Sequence, residues 1–241
     1  MQVIKLDATD STNDHLRRMM LANKLTTPTV VWSLFQKKGK GQRGQVWTSQ
    51  AGENLMFSLY IPNLSRIADQ LFSIHKIVSV CLAEWLISLQ IPNITVKWPN
   101  DILSGDKKLA GILVESSVQK STAKSIIIGT GINVNQIQFP QLPNATSMRL
   151  CTEKKYDLNT LLLSVVPKLI EALTHTSKDW NTVYNQYLYG LNQNRRFMSG
   201  KNEFQGIIRS VTSGGKLVLE TETGEQLFEL KELQFMHFAD Q

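Results

Sequence analysis

The chain has 241 residues, 42% of them hydrophobic and 19% charged, with a formal net charge of +6 and a pI near 9.3, the profile of a globular chain long enough for one main domain plus a smaller one. The positive balance admits anionic partners and makes nucleic acid a class to test, but no run of five Lys or Arg occurs. Two distant cysteines, Cys81 and Cys151, argue against a disulfide scaffold or a zinc site; without a signal segment or a run of about 18 apolar residues, a soluble cytoplasmic protein with no membrane partner is expected.

Residues 3–6 read as a short strand. Thr9-Asp10-Ser11-Thr12-Asn13-Asp14 follows, rich in side chains that cap helices or bind polar ligand groups, and Leu16, Met19 and Met20 then set helical spacing over about 12–23. Capping alone accounts for Ser11, Thr12 and Asn13 at this point. Thr29 to Gln36 is rich in β-branched and aromatic residues and predicts a strand. It feeds Gly39-Lys40-Gly41-Gln42-Arg43-Gly44-Gln45-Val46-Trp47, where three glycines expose backbone N–H groups between two cations, and an indole closes the segment.

Gly39, Gly41 and Gly44 formally match G-x-G-x-x-G, but that fingerprint needs a helix at the loop and an acidic residue about 20 positions on. Here a strand, Leu55 to Ile61, follows, and Leu occupies position 64. The P-loop pattern fails too, because no Gly-Lys-Ser/Thr stands at the required spacing.

A long helix is predicted from Ile67 through Leu89, ended by Pro92; His75 within it reads as structural. Ile94 to Trp98 is a short strand interrupted by Pro99-Asn100-Asp101, which sets Lys97, an amide and a carboxylate within five positions. Ile102-Leu103, a turn at 104–106 and Lys107 to Ser116 make a hairpin, with Gly111 breaking its apolar run. A lysine at the mouth of such a strand can aim at a carboxylate or phosphate. Ser125 to Val134 is another strand, where Gly129 and Gly131 leave room for a flat group and Asn133 offers a donor and an acceptor. Residues 135–150 read as loop. Leu158 to His175 is a helix that Pro167 should kink, and a second helix carries Trp180, Val183, Tyr184 and Tyr187. Beyond about 190, short strands punctuated by glycines predict a small β-barrel.

Three patches coincide in order and spacing: the Gly39–Trp47 loop; Lys97-Trp98-Pro99-Asn100-Asp101; and Lys108 to Glu115 (KLAGILVE) with Gly129 to Asn135 (GTGINVN). Together they resemble the signature of biotin protein ligases over about residues 5–150. The resemblance implies an α+β fold, a mixed β-sheet with helices on one side as in class II aminoacyl-tRNA synthetases, spanning 1–190, and a small C-terminal SH3-like β-barrel at 191–241. It implies two half-reactions, in which biotin and ATP give biotinyl-5′-AMP and a carrier-protein lysine then displaces AMP.

By resemblance, Lys108 is the catalytic cation between biotin carboxyl and α-phosphate, and Asp101 joins it in catalysis. Ser11, Thr12, Asn13, Gln36, Gly39, Lys40, Gly41, Gln42, Lys108 and Gly111 hold biotin. Lys40, Arg43, Trp47, Asn100, Lys108 and Asn133 hold ATP, with Trp47 stacked on adenine. Mg²⁺ is the implied counter-ion, its ligands unassigned. The implied partner is a biotin carboxyl carrier protein or domain of a biotin-dependent carboxylase; a homodimer is left open and no DNA partner is expected. The family loop commonly reads Gly-Arg-Gly-Arg-Arg-Gly-Arg, so Lys40, Gln42 and Gln45 here replace three arginines. The pattern begins within ten residues of Met1, so the monofunctional type is expected rather than one with an N-terminal winged helix-turn-helix. Two alternatives remain: a lipoate-type ligase or acyltransferase of the same fold, which lacks this loop with its terminal Trp, and a basic nucleic-acid-binding protein.

Overall fold

A computed structural model describes residues 1–62, 64, 71–119, 123–174, 178–230 and 232–236. Strands β1 (Gln2–Thr9), β2 (Thr29–Gln36), β3 (Asn54–Ile61), β4 (Ile94–Lys97), β5 (Asp101–Ser104), β6 (Lys107–Gln119) and β7 (Ala123–Asn133) form one seven-stranded sheet in the order β1-β2-β3-β7-β6-β5-β4. The β1–β2 pair is parallel and every other pair antiparallel, so the sheet is mixed as expected.

Alternation along β2 and β3 sorts side chains to two faces. Val30, Trp32, Leu55, Phe57, Leu59 and Ile61 enter the main core. There they meet α2 (Leu71–Ser88) and α4 (Leu158–Thr174), which runs as one helix through Pro167. By length and hydropathy α2 could cross a membrane, yet 72% of it is buried inside this fold. Val31, Tyr60 and Ile127 point the other way and pack against Leu16 and Met20 of α1 (Thr12–Leu21). The helices therefore do not all lie on one side of the sheet. The long ones cover one face, and α1, whose apolar stripe is short, covers part of the other. The proposed helix start at Ile67 and end at His175 fall outside the described residues.

Within the expected 135–150 loop, Ser147 caps a short helix, α3 (Met148–Thr152), by accepting from the Leu150 amide. After α5 (Trp180–Gln186) come β8 (Asn194–Ser199), β9 (Asn202–Val211), β10 (Leu217–Thr221), β11 (Gly224–Phe228) and β12 (Gln234–Phe235), all antiparallel in the order β11-β10-β9-β8-β12. This corrects the expected SH3-like barrel: among the described residues β11 and β12 are the two edges and do not pair, so the sheet stays open. Its 212–215 turn is seated on the first sheet's layer. The Lys76 ammonium of α2 donates to the Thr212 carbonyl (2.7 Å), to Ser213 O and to Asn181 Oδ1, and the Trp98 indole donates to Gly215 O (2.9 Å). These partners offset the cost of burying an ammonium, and burial still pushes Lys76 down to about 8.

Candidate functional site

Between α1, the glycine loop and the solvent-side face of the sheet lies a cavity of about 500 Å³. Its floor is set by register. Met56 of β3 pairs with Gly131 of β7, Gly131 with Gly111 of β6, Gly111 with Asp101 of β5, and Asp101 with Lys97 of β4. One row of the sheet thus reads Met56–Gly131–Gly111–Asp101–Lys97. A second row places Ser58 beside Gly129, and Gly129 beside Leu113.

The α1 end of the cavity is a closed polar network. Ser11, Thr12 and Asn13 are 2%, 4% and 3% exposed, too little for a plain surface cap. The capping is present as well, through Ser11 Oγ and the Asp14 amide at 3.5 Å. Thr12 donates its amide (2.7 Å) and hydroxyl (3.1 Å) to Gln36 Oε1. The Ser58 hydroxyl sits 2.6 Å from Thr12 Oγ1 and within reach of Asn13 Oδ1, and Asn13 Nδ2 donates to Glu115 Oε2 at 2.7 Å. A methyl on Gly129 would collide with Asn13 Oδ1, so that glycine makes room for the amide. Glu115 also takes Arg17 at 2.6 Å; Arg17 reaches Asp14 at 3.2 Å, and Asp14 pairs with Lys40 of the loop at 2.7 Å.

The loop itself is a small hairpin. Gly41 N donates to Gln45 O, Trp47 N to Gly39 O, and Gln42–Gly44 makes one 3₁₀ turn. It lays Trp47 across the glycine floor: a Cβ on Gly131 would lie 2.5 Å from the indole Cε2, and one on Gly111 3.2 Å from Cζ3. The flat group that the two strand glycines admit is thus the chain's own indole at Gly131. Its Nε1 is buried without a hydrogen-bond partner.

Beside the ring stands Lys108, its ammonium 5.8 Å from the ring centre and 2.7 Å from Asp101 Oδ1. Its backbone is clamped on both sides, the amide donating to Asn144 O and the carbonyl accepting from Thr146 N. The neighbouring Lys107 is exposed. Asn100 and Asn133 each give Nδ2 to a main-chain carbonyl, Ile112 O at 3.0 Å and Thr146 O at 2.9 Å, so both also fix the wall they stand in.

The structure gathers Ser11, Thr12, Asn13, Gln36, Lys40, Gly41 and Gln42 with Trp47, Asn100, Asp101, Lys108, Gly111 and Asn133 around this one cavity. Gly39 instead lines a groove on the outer side of the loop. The Arg43 side chain lies outside what the structure describes. Sequence reasoning missed Ser58, which joins the polar network, and the lining residues of the 141–145 segment with Leu230, Leu233 and Phe235 near the C-terminal sheet. A polar residue inside the apolar run Leu55 to Ile61 was the available signal for Ser58. His75 is buried in α2, outside the residues that line the cavity, and burial pushes it down to about 4.

A Mg²⁺ ion accompanying a nucleotide usually takes one or two carboxylates plus phosphate oxygens. The cavity supplies Asp101 and Asp106, and among the described residues no group of three metal-ligating side chains occurs. That set fits an ion carried in on phosphates, not one caged by protein.

A model of the Biotin/lipoate A/B protein ligase family matches residues 6–133. The bifunctional ligase/repressor BirA of Bacillus subtilis is 31% identical over 212 residues, 84% of this chain and 64% of that protein. A biotin–[acetyl-CoA-carboxylase] ligase of Paracoccus denitrificans is 31% identical over 129 residues, 54% of this chain and 53% of its own length. Among solved structures, a biotin protein ligase from Aquifex aeolicus in complex with biotin and ATP superposes with a TM-score of 0.82 at 25% identity, covering 98% of this chain and 99% of that one. The chain spans 64% of the length of its Bacillus relatives.

Proposed function

From membership of the Biotin/lipoate A/B protein ligase family, to which this chain belongs, we infer that it activates biotin with ATP and passes it to a lysine of a biotin carboxyl carrier protein or domain. The observation that carries this reading is the single cavity holding a buried polar network at one end and the Trp47–Lys108–Asp101 cluster at the other.

Biotin is favoured over lipoate by the polar end. A ureido ring has two N–H donors and one carbonyl acceptor to match Ser11, Thr12, Asn13 and Gln36. A dithiolane has neither, so it would forgo those hydrogen bonds, each contributing about 0.5–1.5 kcal/mol. With biotin seated there, its carboxylate extends toward Lys108. The ammonium lets two anions approach and offsets charge developing on the α-phosphate, while the base stacks on Trp47. A carboxylate oxygen bonds to the α-phosphorus, and the bridging oxygen leaves with its electron pair on pyrophosphate. The carrier amine then attacks the acyl carbon and AMP departs. Mg²⁺ supplies further charge neutralisation on the phosphates, with Asp101 and Asp106 as the residues that would hold it. The loop hairpin, closed over the mixed anhydride, keeps water out.

The test of this chemistry is pyrophosphate exchange into ATP. Exchange that requires biotin and is not supported by lipoate is expected; exchange with lipoate but not biotin reverses the substrate assignment.

A further inference from the structure

Glu115 borders the groove on the outer side of the loop and is not part of the cavity lining. Both of its carboxylate oxygens are engaged: one takes the Arg17 guanidinium at 2.6 Å, the other Asn13 Nδ2 at 2.7 Å. A carboxylate only accepts, whereas an amide can be turned either way. Glu115 therefore holds Nδ2 toward itself and leaves Asn13 Oδ1 facing the Ser58 hydroxyl, where Gly129 makes room for it. Ser58 alone does not make that choice, because a hydroxyl both donates and accepts. The other end of the network is fixed in the same manner: the Thr12 amide donates to Gln36 Oε1, so the oxygen of that side chain is the atom turned to Thr12.

Three oxygen–oxygen links join these two ends: Thr12 Oγ1 to Gln36 Oε1, Ser58 Oγ to Thr12 Oγ1, and Ser58 Oγ to Asn13 Oδ1. The two hydroxyls bring only two protons to them. A chain with an amide oxygen at each end is one donor short, and an N–H of a ligand in the cavity supplies it. With the Asn13 amide turned over, Nδ2 would fill the third link and the chain would take no donor. Building on the ligase reading, we propose that Glu115, held by Arg17, is a positioning residue that makes Asn13 an acceptor for a ureido N–H of biotin and so sets the requirement for that N–H. Arg17 adds a constraint of its own: a guanidinium only donates, so it claims an acceptor from position 115.

The experiment is calorimetric titration of the whole chain with biotin and with the two cyclic carbamates in which one or the other ring N–H of biotin is replaced by oxygen. The unaltered protein should bind biotin about tenfold or more tighter than one of the carbamates, the loss of one well-made hydrogen bond. In Glu115→Gln the new amide gives its carbonyl to Arg17 and its NH₂ to Asn13, which turns over. Biotin affinity should fall about tenfold or more, the preference over that carbamate should vanish, and melting temperature should hold. Adding Asn13→Asp should restore affinity and preference, because a carboxylate there accepts on both sides and returns the net charge. Unchanged affinity and preference in Glu115→Gln overturns the proposal, as does an unaltered protein that binds biotin and both carbamates equally. So does an equal loss of biotin and carbamates, because Glu115 would then only support the fold. A Glu115-dependent preference in a protein without biotin-dependent pyrophosphate exchange would uphold this role and remove the ligase reading. An unaltered protein that does not bind biotin removes both.

Discussion

The two ends of the cavity are built by different means. At the α1 end Ser11, Thr12, Asn13 and Ser58 are buried, and the network ties α1 to three strands: Thr12 to Gln36, Asn13 to Glu115, and Ser58 to Thr12 and Asn13. At the loop end the wall is a nine-residue hairpin with Val46 69% exposed, Trp47 resting on glycines, and, among the described residues, the partly exposed ion pair Lys40–Asp14 tying it to α1. The first end is already assembled by the protein's own hydrogen bonds. The second is held by contacts that a nucleotide can replace. A shape-specific ring needs a preformed socket, whereas a reactive anhydride needs a cover that opens and closes.

The sharpest break of the chemistry at the loop end is Lys108→Ala. Adenylate formation should fall by about 10²-fold or more, the range for one transition-state electrostatic contact, with melting temperature unchanged. Lys107→Ala, on the exposed side of the same strand, should behave as wild type. A rate near normal in Lys108→Ala removes its bridging role.

Next in size is a strengthening of the weak end. Gln42 and Gln45 line the cavity where the family commonly has arginines. Gln42→Arg with Gln45→Arg should slow release of labelled biotinyl-AMP by about tenfold or more, since a charge-assisted bond contributes about 1.5–3 kcal/mol. Release at an equal or faster rate means the existing cations already saturate the phosphate.

The glycines separate the two ends. In Gly131→Ala the new methyl meets Trp47, which can swing away with its loop. ATP affinity should fall about tenfold while stability and biotin affinity hold. In Gly129→Ala the methyl meets Asn13, pinned by Ser58 and Glu115. That substitution should cost about 1–3 kcal/mol of stability and weaken biotin. Identical effects of the two substitutions, read by melting and by separate biotin and ATP titrations, would erase the distinction between the ends.

The smallest effect is expected at the tie between them. Asp14→Asn removes the partner of Lys40, and half-exposed pairs contribute only about 0.2–1 kcal/mol. Biotinyl-AMP release should quicken about two- to fivefold, and combining it with Lys40→Gln should add little.

Much of this was legible in the chain. Strand periodicity located β2 and β3 to within a residue, and the three patches, with Ser11, Thr12, Asn13 and Gln36, named much of the cavity wall. What stayed hidden depends on partners remote in sequence. Asn13 and Glu115 are 102 positions apart, and nothing in either segment announces the bond between them. The role of Gly131 as a seat for Trp47 follows from register, which no single strand encodes. The open C-terminal sheet was misread as a barrel because alternation reveals strands but not whether the two edges meet. Phe235 was invisible as a wall residue for the same reason: the docking of that sheet, through Lys76 and Trp98 on its 212–215 turn, brings it to the site.

The most direct test of the central claim is the intact mass of a biotin carrier domain after incubation with this protein, biotin, ATP and Mg²⁺. The account predicts one added biotinyl group, absent when ATP is omitted or when the acceptor lysine of the carrier is replaced. A carrier of unchanged mass, with folded protein and saturating substrates, would contradict it.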